Sequence, residues 1–210
     1  VQSAKFWATL DQLSEGRAIL GVGVGWMEEE FDALGMPFDH RGARADEQLE
    51  VYEALFREDA PSYQGRFYSF PEVSFLPKPV DGHIPIWVGG HTAPAFRRAA
   101  KYGDGLHAAF TPIEELRVHW AAVQAECEKI GRDPAELELS ARVYLDPGGR
   151  MEPAKSLQGD DAELAASVAR WAEVGVSHLI VDPVAAGGAS GRLELIRRFV
   201  ADVRPLIAGH

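Results

Sequence analysis

Apolar and polar positions along the chain follow two alternating rhythms. Short, nearly continuous apolar runs mark strands covered on both faces: Ile19, Leu20, Val22 and Val24 within residues 18–25, and again 84–88 ("IPIWV"). Between such runs the spacing changes to three and four. Residues 1–16 place Ala4, Trp7, Leu10 and Leu13 at three-residue steps and stop at Gly16, which predicts an amphipathic helix entered part-way at Val1. A short acidic helix is expected at 27–34, with Glu28, Glu29 and Glu30 favouring its N-terminus. Residues 41–58 then set Leu49, Tyr52, Leu55 and Phe56 on one helical stripe among charges, the pattern of a helix packed on a sheet.

Aromatic and β-branched residues around Gly65 and Pro71 predict a surface hairpin over 63–76, within an excursion at 61–80. The rhythm resumes with strand 84–88, helix 93–102, strand 105–109, helix 112–130 and strand 137–145. Residues 146–160 ("DPGGRMEPAKSLQGD") read as an exposed loop from their Gly, Pro and Lys content. Helix 162–174, strand 178–181 and helix 193–207 complete the order.

Five strands alternating with helices predict an α/β fold with a parallel sheet, either open and doubly wound or a (β/α)8 TIM barrel. Neither glycine-rich stretch forms a G-x-G-x-x-G turn opening a long helix, which favours the barrel. A barrel needs eight strands and about 250 residues. The expectation is therefore a single barrel domain over 1–210, with three strands lacking.

Composition narrows the partners. With 46% apolar residues among 210, the chain can bury a substantial core. Its formal charge of -11, with no basic run longer than Arg97-Arg98 or Arg197-Arg198, argues against nucleic acid and against anionic membranes. No apolar run approaches the roughly 18 residues of a spanning helix, and no signal peptide opens the sequence. Cys127 is the single cysteine, so no internal disulfide forms and the thiol serves packing or idle surface. Cytoplasmic location is expected.

The stretches "ATLDQLSEGRAILGVGVGWMEEEFDALG" and "PIWVGGHTAPAFRRAAKYGDG", with "GVSHLIVDP" near the end, resemble the bacterial luciferase-like monooxygenase family, in its deazaflavin-dependent oxidoreductase branch. The resemblance runs from about Ala4 to Pro205. It implies a (β/α)8 barrel in which residues 18–25 match the fourth strand and 84–90 the fifth. The three strands that precede these in the family have no counterpart after Val1. The family's polar group for chemistry on the second strand, and its unusual peptide bond on the third, therefore match no position here, and the catalytic residues are unknown.

Cofactor-binding backbone does match. Barrel sites lie at the C-terminal ends of strands, so Val24 and Gly25, then Gly89 and Gly90, then Ala109, Phe110 and Thr111 are expected to converge. The two glycines remove Cβ atoms that would block a close approach, and the amides of His91, Thr92 and Ala93 at a helix start favour an anion. A plain strand-to-helix turn capped by Thr92 uses the same residues. The resemblance decides for the phosphate of coenzyme F-420, a deazaflavin, with FMN as the alternative.

Other residues are weighed in the same way. Arg97 and Arg98 read as solvated surface charge. Among His40, His91, His107 and His178, His91 at the helix entrance is the candidate for contact with cofactor or substrate. Trp26 either walls the ligand pocket or is buried beneath a loop, and Trp87 reads as core. No spaced set of His, Cys and carboxylates suggests a metal.

Two functions follow. The first is an oxidoreductase transferring a hydride between the cofactor and a small organic substrate. The second is a non-catalytic, flavin-like-ligand-binding or associating barrel. An open barrel would expose a large apolar interior and free strand edges beside 19–24 and 178–181, which predicts a homo-oligomer or a separately supplied N-terminal segment.

Overall fold

The first helix buries small side chains and leaves large ones outside. In the computed structural model, which describes residues 1–207, α1 (Gln2–Leu13) places Ala4, Ala8 and Asp11 inside. Phe6 is 64% exposed, Leu10 38% and Leu13 78%. The stripe expected at Ala4, Trp7, Leu10 and Leu13 is thus corrected, Ala4 alone of the four being buried. Asp11 supplies the reason. Its Oδ2 accepts the Val80 amide at 2.9 Å and its Oδ1 that of Ala18 at 3.4 Å. A buried carboxylate satisfied by backbone donors fixes the helix's rotation, because turning it away would leave those amides unpaired.

The chain forms two compact units, residues 1–88 with 101–104, and residues 89–100 with those from 105 onward. In the first, α1 leads to β1 (Leu20–Val22), which is shorter than the run expected over 18–25. Then come α2 (Glu28–Ala33), α3 (Arg41–Arg57), a hairpin of β2 (Tyr63–Gln64) and β3 (Ser69–Phe70), and β4 (Ile86–Gly89). β1 and β4 pair in parallel, Leu20 opposite Ile86 and Val22 opposite Val88. The helical stripe of α3 is buried as its spacing predicted, including Leu49, Tyr52, Leu55 and Phe56. Trp87 is core, 5% exposed.

The hairpin is tied down by side chains of α3. Glu47 accepts the amides of Arg66, Phe67 and Tyr68, and Glu50 accepts the hydroxyls of Tyr63 and Tyr102, both at 2.6 Å. These bonds let an aromatic-rich excursion keep one geometry although its strands are only two residues each.

The second unit carries most of α4 (Ala93–Tyr102), then β5 (Gly105–Ala109), α5 (Ile113–Ile130), β6 (Glu138–Leu145), β7 (Ser156–Leu157), α6 (Asp161–Glu173), β8 (Val176–Pro183), α7 (Gly188–Arg198) and α8 (Arg204–Ile207). α5 stops where Gly131 adopts a φ of 73°. α6 starts on a capping box of Asp160 and Glu163. The last helix begins at Gly188 rather than at 193, and a π-helical turn, Phe199–Val203, interrupts it.

Strand β6 is the centre of this unit, pairing in parallel with β5 and β7 along one edge and with β8 along the other. Its side chains alternate between apolar and polar from Leu139 onward, although Ser140 is buried as well. Leu139, Ala141, Val143 and Leu145 are buried, and they join Leu116, Val123 and Cys127 of α5 and Leu164 and Trp171 of α6 in the core. The loop expected to be exposed at 146–160 is corrected in part: Asp146 is fully buried, and β7 is buried beside the end of β6. Asp146 Oδ2 accepts the Met151 amide at 2.6 Å and its own amide donates to Leu157, so the loop closes on a carboxylate. Arg98, expected at the surface, is also buried at 6% exposure, whereas Arg97 is exposed. No helix among the described residues is long and apolar enough to cross a membrane.

Candidate functional site

Strand ends carry the candidate chemistry in both units. In the second unit, β4 ends at Gly89 and the chain turns through Gly90, His91 and Thr92 into α4. Gly90 has a φ of 137°, and a Cβ there would lie 2.7 Å from the Ala95 Cβ. Only glycine fits both demands. The amides of Ala95 and Phe96 donate to the Thr92 carbonyl at 2.8 and 3.1 Å, so those of His91, Thr92 and Ala93 precede the first intrahelical bonds. His91 and Thr92 are exposed. Such a turn suits an oxyanion, which gains from the helix dipole and from donors already aligned.

At the end of β5, Ala109 is exposed and Phe110 takes a φ of 53°, uncommon for a residue with a side chain. Its amide donates to the Arg142 carbonyl at 2.8 Å, and its ring stacks on Tyr144 with centroids 4.1 Å apart. The Arg142 guanidinium lies 5.1 Å from the same ring. Thr111 turns its hydroxyl back to the Ala109 carbonyl at 3.4 Å, just before α5 begins.

The other face of β6 is polar, carrying Ser140, which is fully buried, then Arg142 and Tyr144, which are not. Register sets His107 of β5 beside Ser140, and His178, Ile180 and Asp182 of β8 beside Ser140, Arg142 and Tyr144. His107 Nδ1 and Ser140 Oγ are 3.0 Å apart, and Arg142 pairs with Asp182 at 2.7 Å. Burial lowers the pKa of His107, and its neighbours Arg142 and His178 push it the same way. Its imidazole is therefore neutral at neutral pH, able to donate from one nitrogen and accept at the other. Where an apolar interior is expected of an open barrel, this face carries, beside the part-exposed Ile180, two imidazoles and an ion pair.

In the first unit, Val24 lines a cavity of about 240 Å3 together with Phe31, Met36, Arg41, Arg44 and Tyr68. Gly25 has a φ of 79°, a Cβ there would meet the Phe31 ring at 2.7 Å, and its carbonyl accepts Arg41 Nε at 3.1 Å. Trp26 is 79% exposed, which rules out its burial beneath a loop. A second cavity of about 250 Å3 shares Gly23, Ala45 and Gln48 with the first and is lined also by Trp7 and Tyr52. Among the described residues, no group of three or more His, Cys, Asp or Glu is placed to hold a metal ion.

Residue spacing found the glycine turns and the end of β5 but passed over Arg41, Arg44, Ser140, Arg142, Tyr144 and Asp182. The signal for the β6 residues was present: "LSARVYL" alternates apolar and polar with period two. For the two arginines of α3 the sequence offers only their one-turn spacing.

Comparison with known proteins agrees with this architecture. A family model described as luciferase-like monooxygenase matches residues 1–170. An uncharacterized protein of Mycobacterium tuberculosis is 34% identical over 184 residues, covering 84% of this chain and 56% of that protein. An FMNH(2)-dependent dimethylsulfone monooxygenase of Pseudomonas putida is 29% identical over 133 residues, covering 61% of this chain and 37% of that one. The chain thus spans about half the length, or less, of these curated relatives. Among solved structures, an F-420-dependent secondary alcohol dehydrogenase bound to an F-420–acetone adduct superposes with a TM-score of 0.82 at 17% identity, over 98% of this chain and 74% of that one. That likeness shows the fold, an α/β architecture of the TIM-barrel type with a parallel sheet. With strand order, glycine turns and family model in agreement, the chain belongs to the luciferase-like monooxygenase family.

Proposed function

We propose that the protein is an oxidoreductase that transfers a hydride between a deazaflavin cofactor, coenzyme F-420, and a small organic substrate, with FMN as the alternative cofactor. A flavin-type oxidoreductase role follows from the family; the cofactor, the hydride step and the substrate are our reading. The observation that carries it is the turn at Gly90, where a positive φ and the contact with Ala95 demand a residue without a side chain. Backbone cleared in this way at a helix N-terminus suits a phosphate.

Gly89, Gly90, His91 and Thr92 would hold the cofactor's phosphate, and Ala109, Phe110 and Thr111 would border the cofactor. The bound cofactor supplies the hydride chemistry, which no amino-acid side chain provides. The chain's own residues bind, orient and exclude water. The Phe110–Tyr144 stack forms a rigid aromatic wall. His107, hydrogen-bonded to Ser140, offers a neutral imidazole that can hold or pass a proton. Titration of the purified chain with coenzyme F-420 and with FMN, followed by fluorescence, tests the reading. Saturable binding of one, weakened by Gly90→Ala, supports it, and binding of neither sinks it.

A second reading keeps the fold without turnover, as a module that associates. Ile19 beside β1 and Ile180 on β8 are 38% and 37% exposed, and Leu193 and Val200 are 48% and 49% exposed. Such apolar surface favours a homo-oligomer or a separately supplied segment. Sedimentation of the chain as a stable monomer at all concentrations would count against it.

A further inference from the structure

We infer that the cavity at the end of β1 is a carboxylate-binding site, in which Arg41 and Arg44 grip an acidic ligand group. Both arginines line this cavity of about 240 Å3 with Gln48 and Tyr68. They stand three residues apart in the first turn of α3 and are half-buried. Their protein contacts are to uncharged partners. Arg41 Nε donates to the Gly25 carbonyl at 3.1 Å, and Arg44 donates to the carbonyls of Pro37 and Asp39 at 2.8 and 3.3 Å. Among the described residues neither forms an ion pair with a carboxylate, although the chain holds 32 Asp and Glu against 21 Lys and Arg. Glu30 lines the same cavity without pairing with them.

Two half-buried guanidiniums that line one cavity, neither paired with a carboxylate, leave positive charge that a ligand can balance. Their geometry is prepared for one. Arg41 lies 3.9 Å from the Phe38 ring centroid and Arg44 5.3 Å from that of Phe67, so each guanidinium sits over an aromatic ring. The first turn of α3 contains no acidic residue, so no carboxylate of that turn offsets the positive potential at the helix start. A planar carboxylate matches the fork of a guanidinium, and the cavity has room for a small organic acid.

Two sources of that carboxylate are possible in chemistry: the glutamyl tail of coenzyme F-420, or an acidic substrate. The first source rests on the cofactor reading above; the second does not. The purified chain, Arg44→Gln and Arg44→Lys are titrated with coenzyme F-420, with the tail-free deazaflavin that keeps the phosphate and lacks the glutamyl tail, and with glutarate, by fluorescence and calorimetry. Circular dichroism melts check that each variant folds, and Arg41→Lys serves as the second variant if Arg44→Gln does not.

A cofactor source predicts that Arg44→Gln weakens F-420 binding about tenfold and leaves the tail-free deazaflavin unchanged. A substrate source predicts saturable glutarate binding that Arg44→Gln abolishes and Arg44→Lys partly retains. If neither deazaflavin binds, the cofactor reading fails while the glutarate titration still decides the cavity. Absence of glutarate binding, together with F-420 affinity indifferent to both arginines, overturns the inference.

Discussion

Glu47 Oε2 accepts the amide of Phe67 at 2.8 Å, so one carboxylate of α3 fastens the tip of the hairpin. Oε1 takes the neighbouring Arg66 amide at 2.9 Å. Partial burial pushes this carboxyl up, but the three amides it accepts outweigh that and hold it below the usual range. The hairpin's attachment is therefore complete above the ordinary carboxylate pKa and weakens as pH falls through the lowered value. Replacing Glu47 by Ala is expected to raise amide exchange at Arg66, Phe67 and Tyr68 about tenfold while the core of α3 stays protected. Exchange followed by mass spectrometry checks this, and unchanged protection at the tip would show that the strands alone hold the hairpin.

Gly90→Ala should be costly because two demands coincide at one residue. The φ of 137° strains any side chain, and the new Cβ would overlap Ala95. A loss of roughly 1–3 kcal/mol in unfolding free energy is expected. Gly21→Ala is the control, since nothing lies within 4 Å of a Cβ there. Equal denaturation midpoints for the two variants would remove the case for a special turn at Gly90.

Phe110 separates strain from stacking. Phe110→Ala keeps the penalty of its φ of 53° and loses the contact with Tyr144, whereas Phe110→Gly loses the contact and relieves the strain. Stability should therefore fall in the order wild type, Phe110→Gly, Phe110→Ala, with about 1 kcal/mol between the last two. Urea titration measures the order, and an alanine variant as stable as the glycine one would contradict the strained geometry.

His83 makes the stability of the first unit fall as pH rises. Its Nε2 pairs with Asp104 Oδ2 at 2.8 Å, and this hydrogen bond raises its pKa against the opposing effect of burial. With a folded value above the unfolded one, the stabilisation is fully present below the unfolded pKa, near 6.5, and is lost as pH rises through the folded value. The pair is part-exposed, so about 1 kcal/mol or less is expected. His83→Asn should flatten the stability profile as pH rises above the unfolded histidine value of 6.5, and a profile identical to wild type would exclude the pair as its cause.

Much of the fold was readable because the rhythms were clean. The bounds of α4 and β5 agree with the spacing, and the β2–β3 hairpin falls around Gly65, where aromatic and β-branched residues flank a turn. What escaped notice depended on polar groups that a hydrophobic period does not register. Asp11 turned α1 against its apolar spacing, and Asp146 drew into the interior a loop whose composition spoke for solvent. Arg98 is buried in a helix whose other apolar and charged positions gave no sign of it. At the candidate site, glycines announced themselves by position, whereas Arg41 and Arg44 acquire meaning only once a cavity lies beside them.

Strand β8 does not keep a single phase. Val176 is opposite Leu139, but His178, not Ser177, is opposite Ser140, so one extra residue enters between them. Val176 therefore shares the apolar side of β6, while His178, Ile180 and Asp182 share the polar side, although all four are separated by even steps. The half of the strand that shares the polar side is thus decoupled from the half that anchors it. Diversification can proceed at 178, 180 and 182 without retuning the core, and an insertion or deletion near 177 would exchange the two sides in a single event.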